Sequence, residues 1–119
     1  MFEDGRFFTG DERATFHSAD PVDPGEVPCE EYSFRLLTGR GSSSQWHTLT
    51  RTGKSAVLGM LSTNDAYVVI HPADAERLGI VAHQDVVVRS RRGEIALRAV
   101  FSPTVTKGQV FIPMHFRST

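Results

Sequence analysis

The chain has 119 residues, 39% of them hydrophobic, with a formal net charge of −1; that fits one domain with a real core and argues against nucleic acid or another polyanion as its main partner. No run of about 18 apolar residues exists, so no membrane-spanning helix is expected, and the start, Met1-Phe2-Glu3-Asp4-Gly5-Arg6, lacks the basic and apolar regions of a secretory signal. Cys29 is the only cysteine, which excludes an internal disulfide and a self-contained Cys-ligated zinc or iron–sulfur site, favours a reducing cytoplasm, and is expected to be structurally inert.

Residues 1–31 hold only short structural signals. Phe7-Phe8-Thr9, then Gly10-Asp11 and Ala14-Thr15-Phe16, are compatible with a short hairpin. Asp20-Pro21-Val22-Asp23-Pro24-Gly25-Glu26-Val27-Pro28 reads as a linker, because its prolines remove ladder donors and disfavour helix. The domain proper is placed at 32–119. Tyr32 to Thr38 reads as a strand. Val57 to Leu61 is a short turn or helix, and Ala66-Tyr67-Val68-Val69-Ile70-His71 is a continuous apolar run, hence a buried strand.

Pro72-Ala73-Asp74-Ala75-Glu76-Arg77-Leu78 gives the clearest local signal. Pro72 suits the first helical position, Asp74 and Glu76 favour the positive end of the dipole, and Gly79 suits a left-handed cap. Asp85 to Ser90 is a strand, Arg91-Arg92-Gly93 turns it, and Glu94 to Phe101 returns with Ile95, Leu97, Ala99 and Phe101 on one face. Lys107-Gly108 turns the chain again, and Gln109 to Ile112 is the last strand. Many short strands with one or two short helices predict a mainly β fold, a small barrel.

The segment Thr38 to Gly53 is poor core material and good phosphate-binding material. It is rich in glycine and hydroxyls and carries Arg40 and Arg51. Small residues let backbone amides approach phosphate oxygens, the guanidinium groups supply countercharge, and Trp46 and His47 offer flat surface for a heterocycle. A flexible loop without a ligand, with Trp46 as a core aromatic, is the alternative reading.

Gly53-Lys54-Ser55 does not make a P-loop, since Thr48 stands where that motif needs its first glycine. None of the five histidines forms a pair with metal-ligand spacing, and no Ser/His/Asp order stands out. His17, His71 and His83 are expected at the surface or in structural hydrogen bonds. Arg91-Arg92 reads as a solvated hairpin turn rather than a binding patch.

The order of these pieces resembles the C-terminal dinucleotide-binding domain of molybdopterin oxidoreductases. The resemblance is carried by Leu36-Leu37-Thr38-Gly39-Arg40, by Gln45-Trp46-His47-Thr48 with Thr50-Arg51-Thr52-Gly53, by His71 to Ile80, by Ser90-Arg91-Arg92-Gly93, and by Gly108 to Phe116. Asp4 to Thr9 and Ala14 to Phe16 resemble the segment that leads into that domain. The wording from Gln45 to Gly53 looks most like assimilatory nitrate reductases. The resemblance implies a double-psi β-barrel. It implies that Thr38, Gly39 and Arg40 cradle the phosphates of a molybdopterin guanine dinucleotide (bis-MGD on molybdenum in the full enzyme), with Trp46, His47 and Thr48 closing over it. It places no catalytic residue and no metal ligand in this chain. The iron–sulfur cluster and substrate-funnel domains would belong to the remaining domains of the parent enzyme, which are the expected partners.

Three departures qualify the resemblance. Gly41-Ser42-Ser43-Ser44-Gln45 is more polar than the commoner loop, Val81 to Asp85 replaces a Gly-Asp turn, and the family normally continues past Thr119 with further cofactor contacts. Two rival readings are a stand-alone cofactor-binding subunit, as in formylmethanofuran dehydrogenases, and a double-psi barrel used as an interaction module without cofactor.

Overall fold

In a computed structural model that describes residues 2–42, 45, 52–61 and 65–116, the chain forms five strands and two short α-helices. The strands are β1 (Arg35–Gly39), β2 (Tyr67–Ile70), β3 (Asp85–Ser90), β4 (Gly93–Phe101) and β5 (Gln109–Pro113). The helices are α1 (Ala56–Leu61), which follows a 3-10 turn at Thr52–Lys54, and α2 (Pro72–Leu78).

All five strands lie in one mixed, curled sheet of order β1-β5-β2-β4-β3. The pairs β1–β5 and β2–β4 are parallel, whereas β2–β5 and β3–β4 are antiparallel. Parallel neighbours need a crossover, and the long returns from β1 to β5 and from β2 to β4 supply it. The result is a mainly β half-barrel of the double-psi kind, with β1 and β3 as its edges.

Strand periodicity decides which side chains meet. Val68 and Ile70 of β2, Leu97 of β4 and Val110 of β5 point to one face and are buried with Ala75 of α2. Phe34, Ile80, Val86, Val88, Phe101 and Ile112 pack around them. The predicted β4 face therefore holds at Leu97, Ala99 and Phe101, while Ile95 near the hairpin tip is half exposed.

Helix α2 is the element most fully specified by its own residues. His71, extended at φ −65° and ψ 137°, is the N-cap: its Nδ1 accepts from the amide of Ala73 at 3.0 Å. Gly79 takes the left-handed conformation at φ 67° and its N–H returns to Ala75 and Glu76. Asp74 is buried, not merely placed near a dipole: its carboxylate accepts from the Gly108 amide at 2.8 Å and from Arg77 at 3.3 Å. It thereby ties α2 to the turn before β5. Gly108 is itself left-handed, at φ 76°.

Two sequence expectations change. The first strand begins at Arg35, three residues later than Tyr32, because only from Arg35 onward does β5 offer partners, Arg35 opposite Gln109 through Gly39 opposite Pro113. No strand forms among described residues 2–34. The Phe7–Phe16 stretch is instead a turn, in which Phe7 N–H donates to Glu12 O at 2.9 Å and Thr9 Oγ1 donates to Arg13 O at 2.6 Å. The unusual Val81 to Asp85 connection is accommodated by His83, whose backbone is left-handed at φ 65° and whose N–H donates to Ala99 O.

Candidate functional site

The chain leaves β1 at Gly39 and enters a turn that is fixed from three sides. Met114 N–H donates to Gly39 O at 2.9 Å, holding the turn to the end of β5. Gln45 is buried, at 4% exposure, and its Oε1 accepts from the Gly41 amide at 2.8 Å while its Nε2 donates to Met114 O at 3.3 Å. Tyr67, at the start of β2, donates its hydroxyl to Gly41 O at 3.0 Å. Both backbone polar groups of Gly41 are thus satisfied by side chains, which suits a partly buried turn.

Glycine is required at 41 for space. A Cβ there would lie 2.9 Å from Pro113 Cβ and 3.1 Å from the Tyr67 hydroxyl. At Gly39 the nearest atom would be the Phe111 ring at 3.2 Å. The turn is therefore packed on β5 and β2 through the absence of side chains.

Of the residues singled out in the sequence, Thr38 and Gly39 are the last two residues of β1 and Arg40 opens this turn. Thr38 and Arg40 are exposed, Gly39 is partly buried, and the Arg40 side chain makes no hydrogen bond or ion pair among the described residues. Trp46, His47 and Thr48 lie outside the described residues. Gly53 and Lys54 lie in the 3-10 turn Thr52–Lys54, and Ser55 leads from it into α1, only six residues long where a P-loop needs a long helix. His71 caps α2, the structural role expected of it.

Sequence reasoning missed Gln45 and Tyr67 as the residues that shape the turn. Gln45 was visible in the motif, but its partner Met114 is 69 positions away, and no local pattern announces such a contact.

Three clefts border the sheet. One of about 480 Å³ lies beside the turn, lined by Leu37, Gly41, Tyr67, Val100, Ser102 and Phe111. A second, of about 310 Å³, opens on the apolar inner face between Phe34, Val68, Ile70, Val86 and Val88. A third, of about 610 Å³, lies between residues 24–29 and the β3–β4 hairpin. Its arginines are largely engaged: Arg89 pairs with Glu94 at 2.8 Å, Arg92 with Glu26 at 3.5 Å, and Arg91 lies over the Tyr32 ring at 5.9 Å. Cys29 is exposed there, and a backbone hydrogen bond from Tyr32, helped by Arg91, holds its thiol below the usual range. Among the described residues no group of three or more His, Cys, Asp or Glu could hold a metal ion. Arg40, by contrast, has no charged partner among the described residues and sits beside a glycine turn, a combination suited to an anion.

A small-residue turn, packed on β5 and β2, thus follows the first strand of the half-barrel. Residues 34–119 match the family model described as "Molydopterin dinucleotide binding domain", and the chain belongs to that family. It is 39% identical over 111 residues to the F420-dependent formate dehydrogenase 1 subunit alpha of Methanococcus maripaludis, covering 93% of this chain and 16% of that one. It is 38% identical over 115 residues to a nitrate reductase of Symbiobacterium thermophilum, covering 93% and 15%. Among solved structures, acetylene hydratase from Pelobacter acetylenicus superposes with a TM-score of 0.60 at 21% identity, over 72% of this chain and 11% of that one; this is a likeness of fold. The chain thus spans about a sixth of the length of the curated relatives it matches.

The residues present fit a pyrophosphate-bearing cofactor. Thr38 offers a hydroxyl, Arg40 an exposed guanidinium, and Gly39 and Gly41 a backbone without side chains of its own. The Gly41 amide is already given to Gln45, so it is a structural donor and not one aimed at phosphate.

Proposed function

We propose that this chain is the C-terminal cofactor-binding domain of a molybdenum nitrate reductase of the cytoplasmic, assimilatory kind, holding one end of a bis(molybdopterin guanine dinucleotide). Arg40, exposed and without a charged partner among the described residues, after a strand whose turn is locked by Gln45 and Tyr67, carries this reading. A guanidinium can bind two phosphate oxygens at once, and a preset turn spares the entropy of ordering it. Thr38 adds a hydroxyl near the end of that strand, and Trp46, His47 and Thr48 are assigned by resemblance to the cover over the cofactor.

When bound, the cofactor supplies two-electron chemistry at its metal. The task of this chain is to hold and orient it. The iron–sulfur centre and the metal ligand are assigned to the remaining domains of the enzyme. Arg40→Ala in the intact enzyme should lower the molybdenum and guanine nucleotide released per folded polypeptide by about tenfold, in line with the loss of one charge-assisted contact. Unchanged content of both would sink the assignment.

A formate dehydrogenase is the second reading, favoured by the equal likeness to the alpha subunit from Methanococcus maripaludis. Assaying the loaded enzyme for nitrate reduction and for formate oxidation separates the two.

A further inference from the structure

Residues 2–31 are unlike the rest of the chain in two independent ways. First, they leave large apolar side chains in solvent: Phe8 is 95% exposed, Phe16 93% and Val22 93%. Scattered surface apolar residues are ordinary, but nearly full exposure of two phenylalanines on one segment is not. Second, residues 1–31 carry nine carboxylates against two arginines, whereas 32–119 carry five against eleven lysines and arginines. The near-neutral total conceals a strongly acidic segment joined to a basic barrel.

The segment is also partly preorganised. Phe2 stacks on Phe7 with ring centroids 4.8 Å apart and meets Phe8 edge-on at 5.7 Å. The turn closed by Phe7, Thr9, Glu12 and Arg13 holds this aromatic knob in place. At its other end the Glu26–Arg92 pair and the Cys29 N–H to Tyr32 O bond at 3.0 Å fasten the segment to the half-barrel. Anchored at one end and displaying rigid aromatics at the other, it has the anatomy of a docking element.

We infer that residues 2–31 form a docking arm that seats its aromatic knob, Phe16 and Val22 in apolar pockets of a basic surface on the remaining domains of a longer polypeptide. The matched family begins at residue 34, so the arm stands outside it. The match to the formate dehydrogenase subunit nevertheless spans 111 of the 119 residues, so it takes in Phe16 and Val22. The arm thus goes with the long polypeptide rather than with the barrel module. The partner surface is defined by chemistry: pockets for aromatic rings, ringed by lysine or arginine opposite Asp20 and Asp23.

The test uses the intact polypeptide and compares it with Phe8→Ser/Phe16→Ser and with Asp20→Lys/Asp23→Lys. All four side chains are exposed on the arm, so neither variant disturbs the barrel core. In the parent, backbone amides of 7–22 should exchange slowly and resist protease. Both variants should be cleaved in this stretch about tenfold faster, with exchange at Val68 to Ile70 unchanged. The charge-reversed variant should converge with the parent as salt is raised, since screening removes the attraction it inverts. Molybdenum content is read in parallel and keeps this outcome distinct from the Arg40 assignment. Equal cleavage in the parent and both variants overturns the proposal. Arm protection that rises with protein concentration also overturns it, because the occupant would then be a second copy.

Discussion

Single residues at the turn and at α2 show how few side chains hold the half-barrel in register. Gln45 and Asp74 are its buried polar groups among the described residues, and each joins a loop to the end of β5 or the turn before it. Asp74 is the more consequential for stability. The Gly108 amide, and then Arg77, hold its carboxyl below the ordinary range against an opposing desolvation effect. A carboxyl depressed on folding contributes stability that is present above its unfolded value of about 3.9 and lost as pH falls through its folded value. Asp74→Ala should therefore cost about 1–3 kcal/mol at neutral pH, where it leaves the Gly108 N–H unsatisfied. The gap in melting temperature between parent and variant should close as pH drops below about 4. A gap constant with pH would show that the charge of Asp74 contributes nothing.

Among elements, α2 and β1 mark the range of what local sequence determines. The bounds of helix α2 were readable because Pro72 and Gly79 each act within one turn of the chain, whereas the His71 cap and the burial of Asp74 emerge only with the fold. Strand β1 was misplaced at its start by three residues, since its beginning is decided by where β5 runs, more than 70 positions later. The turn after β1 shows the same division. Thr38, Gly39 and Arg40 were identifiable by type and by resemblance, while Gln45, Tyr67 and Met114, which hold them, met only through the fold. Gly79→Ala tests the local half of this argument. A Cβ at Gly79 would meet nothing within 4 Å, so the cost is conformational alone, about 1–2 kcal/mol for a left-handed alanine. Thermal unfolding should show a loss of that size and no change at the turn.

At the scale of the whole molecule, the half-barrel leaves β1 and β3 each paired on one side only among the described residues. Their edges differ. On β3, Asp85 and Arg89 place charges along the strand and oppose pairing with another chain, whereas on β1 Leu36 and Leu37 are exposed side by side. The 119-residue chain on its own should self-associate through β1. Leu37→Lys should shift sedimentation toward monomer, and Val87→Lys on β3 should do so much less. The acidic arm and the basic barrel are likewise a property of the whole, invisible in a net charge of −1.

The clamp on the turn also sets an order of events. The residues that would grip the cofactor are made early, but Gln45 has no Met114, and β1 no β5, until a further 69 or more residues have been joined. Contacts of such long sequence separation form slowly and late. On the ribosome, Arg40 would emerge well before the strand that fixes its turn. Under the proposed assignment the grip would be withheld during synthesis and completed as β5 docks, and cofactor loading would belong to the folded domain rather than to the growing chain.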